Sequence, residues 1–230
     1  MRPKRQVYFV TGTDTGVGKT TVCAALLQRA SQQGLDSLGL KPVASGCRTD
    51  AQGQLVSEDA EQLMAASSVR LDPAQVCPFR LREPWSPHLA AAHEGRRLQV
   101  SRIVGLIRGS LQAASRVLIE GAGGWRVPLN DRETLADVAR QLQVPVLLVV
   151  GVRVGCLNHA LLSAEVIRRD GLVLAGFYAV EAEAGVPQVA AQVDTLRHML
   201  GAPCLGWLPH DPAAGVAQRA TQVRWPGEPA

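Results

Sequence analysis

Two hydrophobic patterns alternate along the chain. Short runs that are apolar at nearly every position are separated by stretches in which apolar residues recur every three or four positions. The first run, QVYFVTG at Gln6–Gly12, reads as a strand. Residues 19–34 read as a helix, with Val22, Ala25, Leu26 and Ala30 spaced for one face and Gly34 to close it. A strand follows at 36–43, then a helix at 57–67 with Ser57 as its N-cap. Residues 70–97 carry Pro73, Pro78, Pro84 and Pro87 and read as irregular. Beyond them come a helix (100–114), a strand with a glycine turn (115–124), a helix (134–143), a strand (144–152), a helix (157–171), a strand (172–180), a helix (187–200) and a last short strand (203–209). Runs such as VPVLLVV are apolar on both faces, as a strand covered on both sides requires. Repeated β-α units of this kind predict an α/β fold: a doubly wound, mainly parallel sheet with helices on both faces, joined by right-handed crossovers. No linker or internal repeat interrupts the chain, so residues 1–230 read as one domain. Residues 219–230 lack periodicity and are expected to form a poorly ordered tail.

Composition narrows the function classes. The net charge is +4 and aromatics are 4% of residues, with no stripe of interleaved basic and aromatic side chains. Nucleic acid is therefore not an expected partner, while a mild positive bias suits anionic small molecules. The five cysteines are odd in number, widely spaced and without a C-x-x-C pair. That argues against zinc and against a disulfide framework, and fits reduced thiols in a cytoplasmic protein. The basic start followed by YFV is too short for a secretory signal. No stretch has the apolar length to span a bilayer, so no membrane partner is expected.

In this architecture ligands bind beyond the carboxyl ends of the strands, and four segments there carry chemistry. The first is TGTDTGVGKTT, after strand one. It places the architecture in the P-loop NTPase type. Gly16 and Gly18, with Val17 between them, permit the backbone turns that aim N–H groups inward at a helix start. Lys19 supplies a cation for the outer phosphates and Thr20 a hydroxyl for Mg²⁺, with Thr21 following. The usual leading glycine would stand at Thr13; here it is Gly12, one residue early. The second segment is LKPVASG, where Lys41 and Ser45 flank a proline turn level with the loop. A second lysine there suits stabilisation of developing negative charge. The third is acidic: Glu58 or Asp59 at a helix start, and Glu120 ending a strand before Gly121, Ala122 and Gly123. Mg²⁺ takes oxygen ligands and keeps several waters, so Thr20 with one or two carboxylates suffices. Chemistry alone does not separate Glu58 from Asp59. The fourth is GCLNHA, where Gly155 opens a helix near Leu157 and Asn158; Asn158 reads equally as an N-cap or as part of an anion site.

Taken in order, VTGTDTGVGKT, KPVASG, EGAGGW with VPL, VPVLLVVGV with GC and NHA, and LAG resemble the dethiobiotin synthetase family over nearly the whole chain. The resemblance implies an ATP-dependent carboxylation. CO2 and 7,8-diaminononanoate give a cyclic urea, dethiobiotin, through a carbamate and a carbamic-phosphoric anhydride, releasing ADP and phosphate. It implies that Gly16, Val17, Gly18, Lys19, Thr20 and Thr21 cradle the phosphates, and that Thr20, Asp59 and Glu120 hold Mg²⁺. Gly121, Ala122 and Gly123 would lie along the nucleotide. Lys41 would be the catalytic lysine, aided by Lys19, and Thr15 and Ser45 would bind substrate. It further implies a homodimer in which Gly155, Cys156, Leu157 and Asn158 bind the substrate tail across the interface.

The chain departs from the family pattern in two places. Gly16 stands where some relatives carry an acidic side chain. After LAG, Val180 and Glu181 replace the Asn-Asp pair whose amide reads adenine. The nucleotide base is then left to Val180, Glu181, Pro209, His210 and Asp211, and other nucleoside triphosphates become candidates beside ATP. A related amide- or amine-forming ligase on another substrate is one competing reading. Another is a partitioning-type switch ATPase, whose loop needs an early lysine where this chain has Asp14 and Thr15. A third is an inactive nucleotide-binding module, against which Lys19, Thr20 and Lys41 argue.

Overall fold

The structure, a computed structural model, describes residues 4–229. In chain order its elements are β1 (Gln6–Gly12), α1 (Lys19–Gln32), β2 (Ser37–Leu40), β3 (Val43–Ala44), β4 (Arg48–Thr49), β5 (Leu55–Val56), α2 (Glu58–Ala66), α3 (Pro73–Val76), β6 (Phe79–Arg80), α4 (Pro87–His93) and α5 (Val100–Arg108). They continue with a 3₁₀ turn (Ser110–Gln112), β7 (Arg116–Gly124), α6 (Leu135–Leu142), β8 (Val146–Gly151), α7 (Cys156–Arg169), β9 (Leu174–Val180), α8 (Val189–Met199), β10 (Cys204–Leu208) and α9 (Val216–Ala220).

Six strands form one sheet in the order β10-β9-β8-β1-β7-β2, and every pair in it is parallel. Successive residues of a strand face opposite sides, so the wholly apolar strands feed two cores. Tyr8, Val10, Leu118, Leu147 and Val149 pack with α1 on one face. Phe9, Val117, Ile119, Leu148 and Val150 pack with residues of α5, α6, α7 and α8 on the other. β1 lies between β7 and β8, which brings the loop after Gly12 to the centre of the sheet's carboxyl edge.

Four segments differ from the periodicity reading. β7 runs on to Gly124, so Glu120 stands within that strand rather than ending it before a glycine turn. The second strand stops at Leu40, because Pro42 has no N–H for the ladder and Lys41 N–H turns to the carbonyl of Val76 (2.9 Å). Residues 70–97 are not irregular throughout. Asp72 and Gln75 make a reciprocal capping box that starts α3 at Pro73, and α4 begins at Pro87. Proline at the first helical position lacks only an N–H that would be unsatisfied anyway, so these prolines start helices rather than exclude them. Residues 219–229, expected to be a loose tail, instead run back over α1: Trp225 is 1% exposed, donates from Nε1 to the carbonyl of Leu26 (3.2 Å) and lies 6.1 Å from the Tyr8 ring. One large indole at the right place gives that docking, and periodicity is blind to it.

Candidate active site

The phosphate loop takes its shape from packing beneath it. At position 12 a Cβ would stand 2.7 Å from Val17 and 2.9 Å from the carbonyl oxygen of Asp14, so only glycine fits. The early glycine of the loop is thus a close-packing position under its first turn. Val17 is buried, its side chain packing against Gly12 and Gly151, and it does not line the cavity. Asp14 is spent locally: Oδ1 accepts from Thr15 N–H (2.7 Å) and Oδ2 pairs with Arg153, from the loop before α7.

A cavity of about 620 Å³ opens at this edge. From the first loop it is lined by Thr15, Gly16, Gly18, Lys19, Thr20 and Thr21; from β7, the start of α2 and the turns after β2 and β3 it is lined by Glu120, Ala122, Gly123, Asp59, Lys41 and Ser45. These residues come from four separate segments of the sequence. The structure also separates Glu58 from Asp59. Glu58 is exposed on the outer side of α2, whereas Asp59 turns inward, and Ser57 caps the helix through Ala60 N–H (3.3 Å).

The polar centre is a connected set. Thr20 Oγ1 lies 2.8 Å from Glu120 Oε1 and 3.0 Å from Asp59 Oδ1. Lys41 Nζ lies 2.6 Å from Glu120 Oε1, 2.7 Å from Asp59 Oδ2 and 3.3 Å from the carbonyl of Gly121. Burial alone would lower the Lys41 pKa, but the two carboxylates overcome it and hold it above the ordinary lysine value. Burial would likewise raise Asp59, yet the Lys41 ammonium and the Thr20 hydroxyl keep its carboxyl below the usual range. Lys19, 6% exposed, donates to the carbonyl of Asp14 (2.9 Å). Burial, and then the neighbouring Lys41 charge, lower it to about 8.

Among the described residues no three His, Cys, Asp or Glu side chains cluster as a metal site. The donors here are two carboxylates and one hydroxyl, and Glu120 Oε2 is buried without a hydrogen-bond partner. A hard cation that keeps its waters fits such a set, and an unpartnered carboxylate oxygen is what it would engage.

Other expected residues lie outside the cavity. Val180 is buried and stands directly behind Gly18, and the Glu181 carboxylate accepts from Trp207 Nε1 (2.6 Å). Pro209 and His210 are exposed beyond β10, and Asp211 accepts from the backbone of Ala213 (3.0 Å). Gly155, not Asn158, is the N-cap residue of α7; Asn158 lies inside the helix and is exposed, so the capping reading of Asn158 is corrected. Cys156 is buried and Leu157 half-buried. All five cysteines are free. No helix among the described residues is long and apolar enough to cross a membrane. Pattern reading missed one wall of the cavity, formed by Pro84, Trp85, Ser86 and Pro87. Its signal was present as a tryptophan set between prolines.

The model of a family described as an AAA domain matches residues 6–217. Among solved structures, a ParA family ATPase from Chlorobium tepidum is similar with a TM-score of 0.54 at 13% identity, covering 94% of this chain and 89% of that one. The signal recognition particle receptor FtsY from Elizabethkingia anophelis is similar with a TM-score of 0.51 at 18% identity; 95% of this chain matches 65% of that one. At these identities the likeness is one of fold alone. Sequence similarity is far closer to proteins named ATP-dependent dethiobiotin synthetase BioD. The protein from Cellvibrio japonicus is 48% identical over 205 residues, 89% of this chain and 90% of its own. The one from Aromatoleum aromaticum is 44% identical over 222 residues, 96% and 98% of the two chains. BioD 1 from Escherichia coli O157:H7 is 47% identical over 208 residues, 89% and 92%. The chain belongs to the dethiobiotin synthetase family.

Proposed function

We propose that this chain is an ATP-dependent ligase of biotin synthesis that closes 7,8-diaminononanoate and CO2 into the cyclic urea dethiobiotin. One observation carries the reading: two buried lysines, Lys19 and Lys41, share one cavity with Thr20, Asp59 and Glu120. The chemistry needs such a set. One amine takes up CO2 to form a carbamate and loses a proton. The carbamate oxygen bonds to the γ-phosphorus of ATP, and ADP leaves. The second amine then bonds to the carbamoyl carbon and loses a proton, phosphate leaves with the cleaved C–O bond, and the ring is closed. Each step gathers anions, so fixed cations that need no reorganisation lower its barrier.

The backbone of residues 16–20 and Lys19 hold the phosphates. Lys41, kept charged by Glu120 and Asp59, acts as a fixed positive charge at the carbamate and the transferred phosphoryl group, not as a base. Thr15 and Ser45 bind the amine substrate. Thr20, Asp59 and Glu120 would hold Mg²⁺, which when bound offsets phosphate charge. The helix start at Gly155, Cys156, Leu157 and Asn158, where Gly155 and Asn158 are exposed, lies outside this cavity. In a homodimer it would serve the substrate tail of a second copy, as an exposed helix N-terminus favours an anion. Val180 and Glu181, with Pro209, His210 and Asp211, border the nucleotide base, and the site is cytoplasmic. A partitioning switch has less support, since Asp14 is committed to Thr15 and Arg153 where that mechanism needs a lysine.

The test is product analysis. The protein is incubated with the diamino acid, bicarbonate, Mg²⁺ and ATP, and dethiobiotin is sought by mass spectrometry. Product in step with ADP is expected. ATP hydrolysis without product would leave the related ligase on another substrate.

A further inference from the structure

We propose that Trp85 is a substrate-positioning residue: its indole is the apolar wall against which the hydrocarbon part of the amine substrate lies. This rests on the function proposed above. Trp85 is 45% exposed and lines the same cavity as Lys41 and Ser45. The chain's other tryptophans are otherwise engaged. Trp125 and Trp225 are buried, and Trp207 donates its N–H to Glu181. The Trp85 ring rests on His93 alone among aromatic neighbours, edge-on at 5.1 Å, and its N–H has no protein partner among the described residues. An indole lining a cavity with an open face and a free N–H offers a large, rigid apolar contact area to what enters it.

Its position is fixed by the backbone beneath it. Gly46 N–H donates to the carbonyl of Glu83 (3.0 Å), and Cys47 N–H donates to that of Leu81 (2.9 Å). Gly46 adopts φ +73°, and a Cβ there would stand 3.3 Å from Pro84. The turn that carries Ser45 is therefore tied to the segment that carries Trp85, with prolines on either side of Trp85-Ser86 to stiffen it. The polar groups of the cavity gather around Lys19, Lys41, Thr20, Asp59 and Glu120, whereas the wall of Pro84, Trp85, Ser86 and Pro87 is mainly apolar, the Ser86 hydroxyl being engaged by His88 (3.0 Å). That division suits a substrate with adjacent amines at one end and an alkyl chain running away from them. The base of the nucleotide is the alternative occupant. It is disfavoured because Trp85 is tied to the Ser45 turn, not to the ends of β9 and β10.

Trp85→Ala and Trp85→Phe are compared with the unaltered protein in steady-state assays of urea formation. Covering an indole face by an alkyl chain is worth roughly tenfold or more in affinity. Trp85→Ala is expected to raise KM for 7,8-diaminononanoate by about that factor, with ATP affinity within about twofold and Trp85→Phe near normal. Adding the diamino acid should shift tryptophan emission to the blue in the unaltered protein and not in Trp85→Ala. An unchanged KM, or a loss that falls on ATP instead, overturns the assignment while leaving the ligase reading intact. Absence of dethiobiotin from the unaltered protein overturns both.

Discussion

The ammonium of Lys41 lies 2.6 Å from Glu120 Oε1, with side-chain exposures of 4% and 0%. A buried pair of this kind is costly to break, because the survivor is left charged and unpaired. Lys41→Ala is expected to cut turnover by about 10²-fold or more while nucleotide affinity stays within about threefold. It should also lower the melting temperature by several degrees through the stranded Glu120. Steady-state kinetics, nucleotide titration and thermal denaturation report the three separately. Near-normal turnover would remove Lys41 from the mechanism.

Thr20 links the phosphate loop to both carboxylates through one hydroxyl. Thr20→Val keeps the shape and removes that oxygen. Nucleotide affinity measured with Mg²⁺ should fall by about tenfold or more, while affinity without the metal changes little. Equal affinities in the two proteins with Mg²⁺ present would end the metal role of Thr20.

The Val180 side chain packs behind Gly18 and offers no hydrogen bond, and the Glu181 carboxylate is engaged by Trp207. Sites that read a polar edge discriminate strongly, because the wrong partner leaves buried groups unpaired; apolar surroundings discriminate weakly. ATP, CTP and GTP should therefore support kcat/KM values within about tenfold of one another. A loss beyond a hundredfold with CTP or GTP would refute relaxed selectivity.

Trp225 docks the C-terminal segment on α1, the helix that begins at the phosphate loop. Trp225→Ala removes a fully buried indole and is expected to cost about 3–5 kcal/mol of stability. Denaturant unfolding measures it. A cost under about 1 kcal/mol would mean that the segment contributes little to holding α1.

Much of this protein is legible in its sequence because it is local. Wholly apolar runs, helical spacing and the glycine-lysine-threonine turn are encoded within a few residues, and they specify the parallel sheet, its helices and the loop at its carboxyl edge. Ser57 as a cap is readable for the same reason. What only the tertiary structure decided is convergence. Thr20 and Glu120 are 100 positions apart, and nothing near either announces the other. Asp59 parts from Glu58 only when α2 packs and one of two adjacent carboxylates turns inward. Trp85 and Trp225 look alike in a sequence. One is buried on α1 and the other stands at the mouth of the cavity, because burial depends on which surface the folded chain brings opposite each ring.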